Sequence, residues 1–147
     1  RYSMVLQSIM TVTGSRMGRT KLQKFGEEVH RNLGQRWLGR KMLESLPGQG
    51  NIVIDGLRFP EDHSFLAEKF GPAFSHIHIH ATEHLRRQRF AIREGSDAKF
   101  DIAQAQPVEQ QTESLRSLAN FETLNEASLE SLKDRLDDAT NTHRLGV

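Results

Sequence analysis

The chain has 147 residues, 36% hydrophobic and 27% charged, with four prolines, no cysteine and a formal net charge of +1. This length and balance fit one globular domain with its own core, and the lack of cysteine excludes a disulfide scaffold and any thiolate-ligated metal site. No apolar run approaches the roughly 18 residues of a membrane span and no apolar leader opens the chain, so the expectation is a cytoplasmic protein without membrane association.

Residues 1–46 read as helices broken around Thr13-Gly14-Ser15. From Arg19, the apolar residues Leu22, Phe25, Val29 and Leu33 recur at spacings of three and four, and Trp37, Leu38, Met42, Leu43 and Leu46 continue the pattern beyond Gly34. Their outer faces are basic: residues 1–60 carry 10 Lys+Arg against 4 Asp+Glu, whereas residues 61–147 carry 10 against 15. A basic half of this kind suits an anionic partner or, equally, a solvated helix face. Pro47-Gly48-Gln49-Gly50 is a strong stop, and the β-branched run Asn51-Ile52-Val53-Ile54-Asp55-Gly56 after it predicts a strand buried on both faces.

Pro60, Glu61 and Asp62 suit the first turn of a helix with Phe65, Leu66 and Phe70 on its core face, and Gly71-Pro72 ends it. Residues 74–80 read as a second strand, and Thr82 is placed to cap a helix that runs through Arg93. The polar, weakly patterned stretch 94–107 reads as a mobile loop. A short helix carrying Leu115 and Leu118, a last strand over 120–124, and a terminal helix from Ser128 on Leu129, Leu132 and Leu136 complete the chain. Strands alternating with helices predict an α/β fold, with a parallel sheet covered by helices on both faces. Ligands of such sheets bind beyond the carboxyl ends of the strands, where Asp55 would stand.

Two groups of residues could carry chemistry. A strand ending in Asp55-Gly56 offers a carboxylate that can hold Mg²⁺ through water, a backbone that can approach a phosphate, and in Arg58 a fork of donors for that phosphate. The alternative is an ordinary Asp-Gly turn. Arg86, Arg89 and Arg93 follow one another at i, i+3 and i+7 and so share a helix face. Converging guanidinium groups repel unless an anion lies between them, and arginine matches phosphate oxygens best. The alternative is a solvated stripe with Glu83 and Glu94 as local partners.

Val53-Ile54-Asp55-Gly56-Leu57-Arg58, the strand His76–His80 passing into Arg86, Arg89 and Arg93, and the ending Asn125-Glu126-Ala127-Ser128-Leu129 together resemble the P-loop nucleoside monophosphate kinases. That group includes dephospho-coenzyme A kinases and phage-type deoxynucleoside monophosphate kinases. Arg19-Thr20-Lys21-Leu22-Gln23, with Arg31 and Trp37 further on, is similar to the acceptor-site helices of the deoxynucleotide branch. The resemblance spans most of the chain through short motifs in agreeing order. It implies a single kinase-like domain: acceptor-site helices over 1–50, sheet core and arginine helix over 51–93, a lid-like loop over 94–114, and a C-terminal strand and helix over 115–147.

The resemblance further implies ATP and Mg²⁺ as cofactors and a small-molecule nucleotide as substrate, and it leaves nucleic acid an unexpected partner. Asp55 would stand near the magnesium hydration shell, and Arg58 would bind the acceptor phosphate with Arg19 and Gln23 beside it. Arg86, Arg89 and Arg93 would close over the phosphoryl group, and Asn125 would pass the adenine. Phosphoryl transfer is mostly positioning and charge neutralisation, which several arginines and one metal-organising carboxylate can supply.

One part of the family pattern is missing. The 147 residues contain no G-x-x-x-x-G-K-[ST], and Gly14-Ser15-Arg16-Met17-Gly18 does not match it. With Arg1 and not Met at the start, the expectation is that a strand, P-loop and helix of roughly 30 residues precede it. Separately, His76, His78 and His80 alternate on one strand face, with His84 a helical turn beyond. Alternate histidines can chelate zinc, copper or nickel, or sit hydrogen-bonded under a covering helix; His80 and His84 lie nearest the sheet's ligand edge.

Overall fold

The structure, a computed structural model, describes residues 2–11, 19–46, 48 and 50–145. The chain divides into two compact units, Arg1–Gly71 and Pro72–Val147. Among the described residues it is an α/β protein of eight α-helices and one two-stranded parallel sheet.

The first unit is helical: α1 (Tyr2–Thr11), α2 (Arg19–Leu33), α3 (Gln35–Glu44) and α4 (Pro60–Phe70). The three-and-four spacing predicted α2 and α3, and it buries Val29 of α2 with Leu38 and Met42 of α3. Gly34 separates these helices at φ 82°, a left-handed conformation open to glycine, and its N–H donates to the His30 carbonyl at 3.1 Å to end α2. Pro60 begins α4 with Glu61 and Asp62 in its first turn, as the sequence predicts. Leu66 of α4 is fully buried. At Gly39 of α3 a Cβ would lie 2.7 Å from Cδ1 of Phe65, so α3 and α4 approach closely only because this position has no side chain. Arg36 of α3 ties the same pair from outside, with its Nη1 and Nη2 on the Glu68 carboxylate at 2.6 and 2.7 Å and its Nε on Glu61 at 2.7 Å.

The run 51–55 departs from expectation. Residues 51–59 form neither helix nor strand, and Val53 is 91% exposed. A β-branched run becomes a buried strand only where neighbours take its backbone groups, and the two strands of the described residues pair with each other.

The second unit begins with β1 (Ile77–His80), shorter than predicted, and ends with β2 (Phe121–Leu124) leading to α8 (Leu129–Leu145). The strands are parallel, with Ile77 opposite Phe121 and His80 opposite Leu124. Asn120 sets the register at the amino end: its Oδ1 accepts the His76 N–H at 2.8 Å, and its N–H and that of Phe121 donate to the His76 carbonyl. At the other end the Asn125 N–H donates to the His80 carbonyl at 2.7 Å. Between the strands run α5 (Glu83–Glu94), α6 (Phe100–Gln104), α7 (Pro107–Ser114) and a 3-10 turn (Leu115–Leu118).

The segment read as a lid-like loop thus contains two short helices. Phe100, Val108 and Leu115 are buried, and the Phe100 ring meets Phe90 of α5 edge-on at 5.6 Å. Pro107 is the first residue of α7, the position where its missing N–H costs nothing. The terminal helix starts within a residue of the predicted Ser128, which caps it, its Oγ accepting the Ser131 N–H at 3.2 Å. No helix of the described residues is long and apolar enough to cross a membrane.

Candidate functional site

The predicted site residues fall into both units. In the first, Asp55 is exposed on the stretch 51–59, just before Gly56 at φ 94°, and Arg58 is half-buried. Arg19 and Gln23 lie on α2, and their side chains fall outside the described residues, as does the whole of 14–18.

In the second unit α5 leaves directly from β1 and α8 from β2, and of the predicted residues Arg89 and Asn125 meet at the carboxyl end of the parallel pair. Thr82 stands at the N-cap of α5, but its hydroxyl makes no capping bond. Its backbone N–H donates instead to Oε1 of Glu126, beyond β2, at 3.2 Å. Asn125 is held at its own N–H by β1 and at its carbonyl by Arg89, whose Nη1 donates at 2.9 Å. The adjacent carbonyl, that of Leu124, accepts a longer bond of 3.4 Å from Nη1 of Arg135 on α8.

The three arginines of α5 are therefore not equivalent. Arg86 is exposed, and its side chain makes no hydrogen bond or ion pair among the described residues. Arg89 is committed to Asn125. Arg93 donates through Nε to Glu94 at 2.7 Å and lies 5.4 Å over the Phe90 ring. Arg87, which the spacing argument passed over, points to the other side of the helix. It pairs with Asp101 and Glu83 and sits 4.5 Å above the Phe100 ring. Glu83 four residues before it was a legible signal, whereas Asp101 on α6 was not.

The alternate histidines line one face of β1. His76 and His78 are buried with their rings 6.1 Å apart, edge to face. Burial holds the His78 imidazole below its ordinary pKa, so it favours the neutral form. His80 is half-buried, with Nε2 3.1 Å from Oε1 of Glu122 on β2. Arg116 of the 3-10 turn pairs with the same carboxylate, and its hydrogen bond holds Glu122 below the usual carboxylate range. The described residues contain no group of three or more His, Asp or Glu placed to hold a metal ion.

One further group was missed altogether. Asp62, read as a first-turn helix acid, is 2% exposed, and its Oδ1 has no hydrogen-bond partner among the described residues. Burial, with the nearby Glu61 charge adding, pushes its carboxyl up to about 7. An acid after Pro at a helix start is ordinarily solvated, and its burial depends on packing that no local pattern records.

In comparisons with known proteins, no family model matches this chain and no curated protein matches it.

Proposed function

We propose that this chain is a nucleotide kinase-like domain of the P-loop type, which transfers the γ-phosphoryl group of ATP to a (deoxy)nucleoside monophosphate or a similar small phosphorylated acceptor in the cytoplasm. The observation that carries the reading is the carboxyl edge of the parallel pair, where Arg89 of α5 meets the Asn125 turn. Ligands of parallel sheets bind at that edge, and phosphoryl transfer needs cationic donors there more than a nucleophile. Arg86 is the arginine available to a phosphate, and Asn125, directly after β2, is the residue that the resemblance assigns to the base. Asp55 and Arg58, in the first unit, enter the reading through the family resemblance alone.

The donor set suits Mg²⁺ in kind. Asp55 is exposed, and a carboxylate of this kind can hold that ion together with waters and substrate phosphates. Bound Mg²⁺ would neutralise charge across the phosphate oxygens.

A second reading, a noncatalytic nucleotide-binding module of the same fold, is favoured by one feature: these residues contain no phosphate-cradling G-x-x-x-x-G-K-[ST] segment. Turnover separates the two. With ATP, Mg²⁺ and a panel of nucleoside monophosphates, the kinase reading expects ADP release that Arg58→Ala and Asp55→Ala abolish. Wild-type-like turnover in both variants would overturn it, and nucleotide binding without turnover would establish the module.

A further inference from the structure

We infer that Arg89 is a positioning residue for the nucleobase turn and does not reach the phosphoryl group, that Arg135 shares this task, and that Arg86 alone of the α5 row is left for phosphate. The inference rests on the nucleotide-site reading above and revises the equal roles that spacing gives the three arginines.

The geometry carries it. Two guanidinium groups, from helices that leave opposite strands, donate to two successive carbonyls at the end of β2: Arg89 to Asn125 at 2.9 Å and Arg135 to Leu124 at 3.4 Å. The Asn125 N–H is bound to His80, and Glu126 accepts the Thr82 N–H. The turn that starts at Asn125 is thus tied at consecutive residues to β1, α5 and α8. A charged donor on a carbonyl is a strong bond of fixed direction, and spending it on phosphate would release the turn. Arg93, with Glu94 on Nε and Phe90 below it, is likewise engaged. Arg86 carries no such commitment among the described residues.

Arg135 had no sequence signal, because on α8 it is one of several surface charges. It borders a shallow depression of about 320 Å³ along β2, lined also by Leu124, Asp138 and Ala139.

The test compares full-length wild type with Arg86→Gln, Arg89→Gln, Arg89→Lys and Arg135→Gln. Amide exchange is followed over residues 121–128, and the affinities for ATP and for adenosine are measured. Arg89→Gln should speed exchange of the 125–128 amides about tenfold and weaken ATP and adenosine alike. Arg89→Lys should restore both, since one N–H at that carbonyl suffices. Arg135→Gln should act in the same direction, less strongly. Arg86→Gln should leave exchange and adenosine affinity unchanged while weakening ATP about tenfold. The inference is overturned if Arg89→Gln leaves exchange at the wild-type rate, or if it weakens ATP and spares adenosine. If the wild type binds neither ligand, the nucleotide reading is what fails, and the exchange result alone decides whether Arg89 positions the turn.

Discussion

Asp62 in the first unit and Glu122 in the second are both helix- or strand-borne carboxyls beside other charges, yet their environments have opposite effects. Asp62 is buried, its Oδ1 unbonded among the described residues, and its carboxyl is pushed up to about 7. Glu122 stays at the surface, clasped by Arg116 and near His80, and is held below the usual carboxylate range. Burial without a partner makes a unit depend on the proton; exposure with a partner fixes local geometry at little energetic consequence either way. The Arg116–Glu122 pair therefore fixes local geometry on β2, while Asp62 sets a condition on the stability of the first unit.

The largest effects should come from the cores, where the units ought to respond alike. Leu66 and Leu115 are each 1% exposed. Replacing either by alanine should cost about 2–5 kcal/mol in urea unfolding, the sum of lost transfer energy and the cavity left behind. A cost near zero for Leu66→Ala would mean that α3 and α4 close over the gap, which the Gly39–Phe65 approach, already too close for a Cβ, argues against.

Asp62 is where the units should diverge. Burial raises its carboxyl to about 7, above the 3.8 of an ordinary aspartate, so the folded state holds the proton more tightly than the unfolded state. The contribution is fully present below pH 4, is lost as pH rises toward 7, and is flat above; the whole swing is at most about 4 kcal/mol. Asp62→Asn should remove that slope and make the protein more stable than wild type at pH 8. Urea midpoints from pH 4 to pH 8 that fall equally in both proteins would show that Asp62 is not the group responsible.

How legible all this was in the sequence follows the range of the forces involved. The helices of the first unit were legible because a stripe such as Val29 on α2, or Leu38 and Met42 on α3, is a local period. The strands 77–80 and 121–124 were likewise legible within a few residues. Residues 51–55 have the same β-branched composition, yet a strand is defined by its partner, and composition says nothing about which segment will be beside it. In 94–114 the anchors Phe100 and Val108 are spaced too widely to show a period, and Pro107 looked like loop punctuation when it was a helix start. At the site, spacing placed Arg86, Arg89 and Arg93 on one helix, but what each guanidinium touches depends on Asn125, Glu94 and Phe90, which spacing on the helix does not specify. The burial of Asp62 and the bond of Arg135 to Leu124 were invisible for the same reason.

A smaller effect tests the second unit's local order. Ser128→Ala removes the oxygen that accepts the Ser131 N–H, and should cost about 1 kcal/mol. Because the cap follows directly on the Asn125 turn, the variant should also loosen 125–128 in amide exchange. Protection unchanged there would show that Arg89, Arg135 and β1 hold the turn without help from the helix start.

The smallest effect returns to the first unit and asks whether the contrast belongs to the units or to burial. Arg36 clamps Glu68 with two nitrogens and Glu61 with a third at the surface of α3 and α4, and its hydrogen bond holds the Glu68 carboxyl below the usual range. That depression has the opposite sign to the shift at Asp62: its contribution is present above the ordinary carboxylate range and fades as the pH falls through the lowered value. Lysine cannot reproduce the fork, so Arg36→Lys should lower the urea midpoint slightly at low salt, and the difference should vanish near about 1 M salt because exposed charges are screened. A loss as large as that of Leu66→Ala, or one that salt does not reduce, would mean that the clamp acts as a buried contact, and exposure would no longer explain why Asp62 and Glu122 differ.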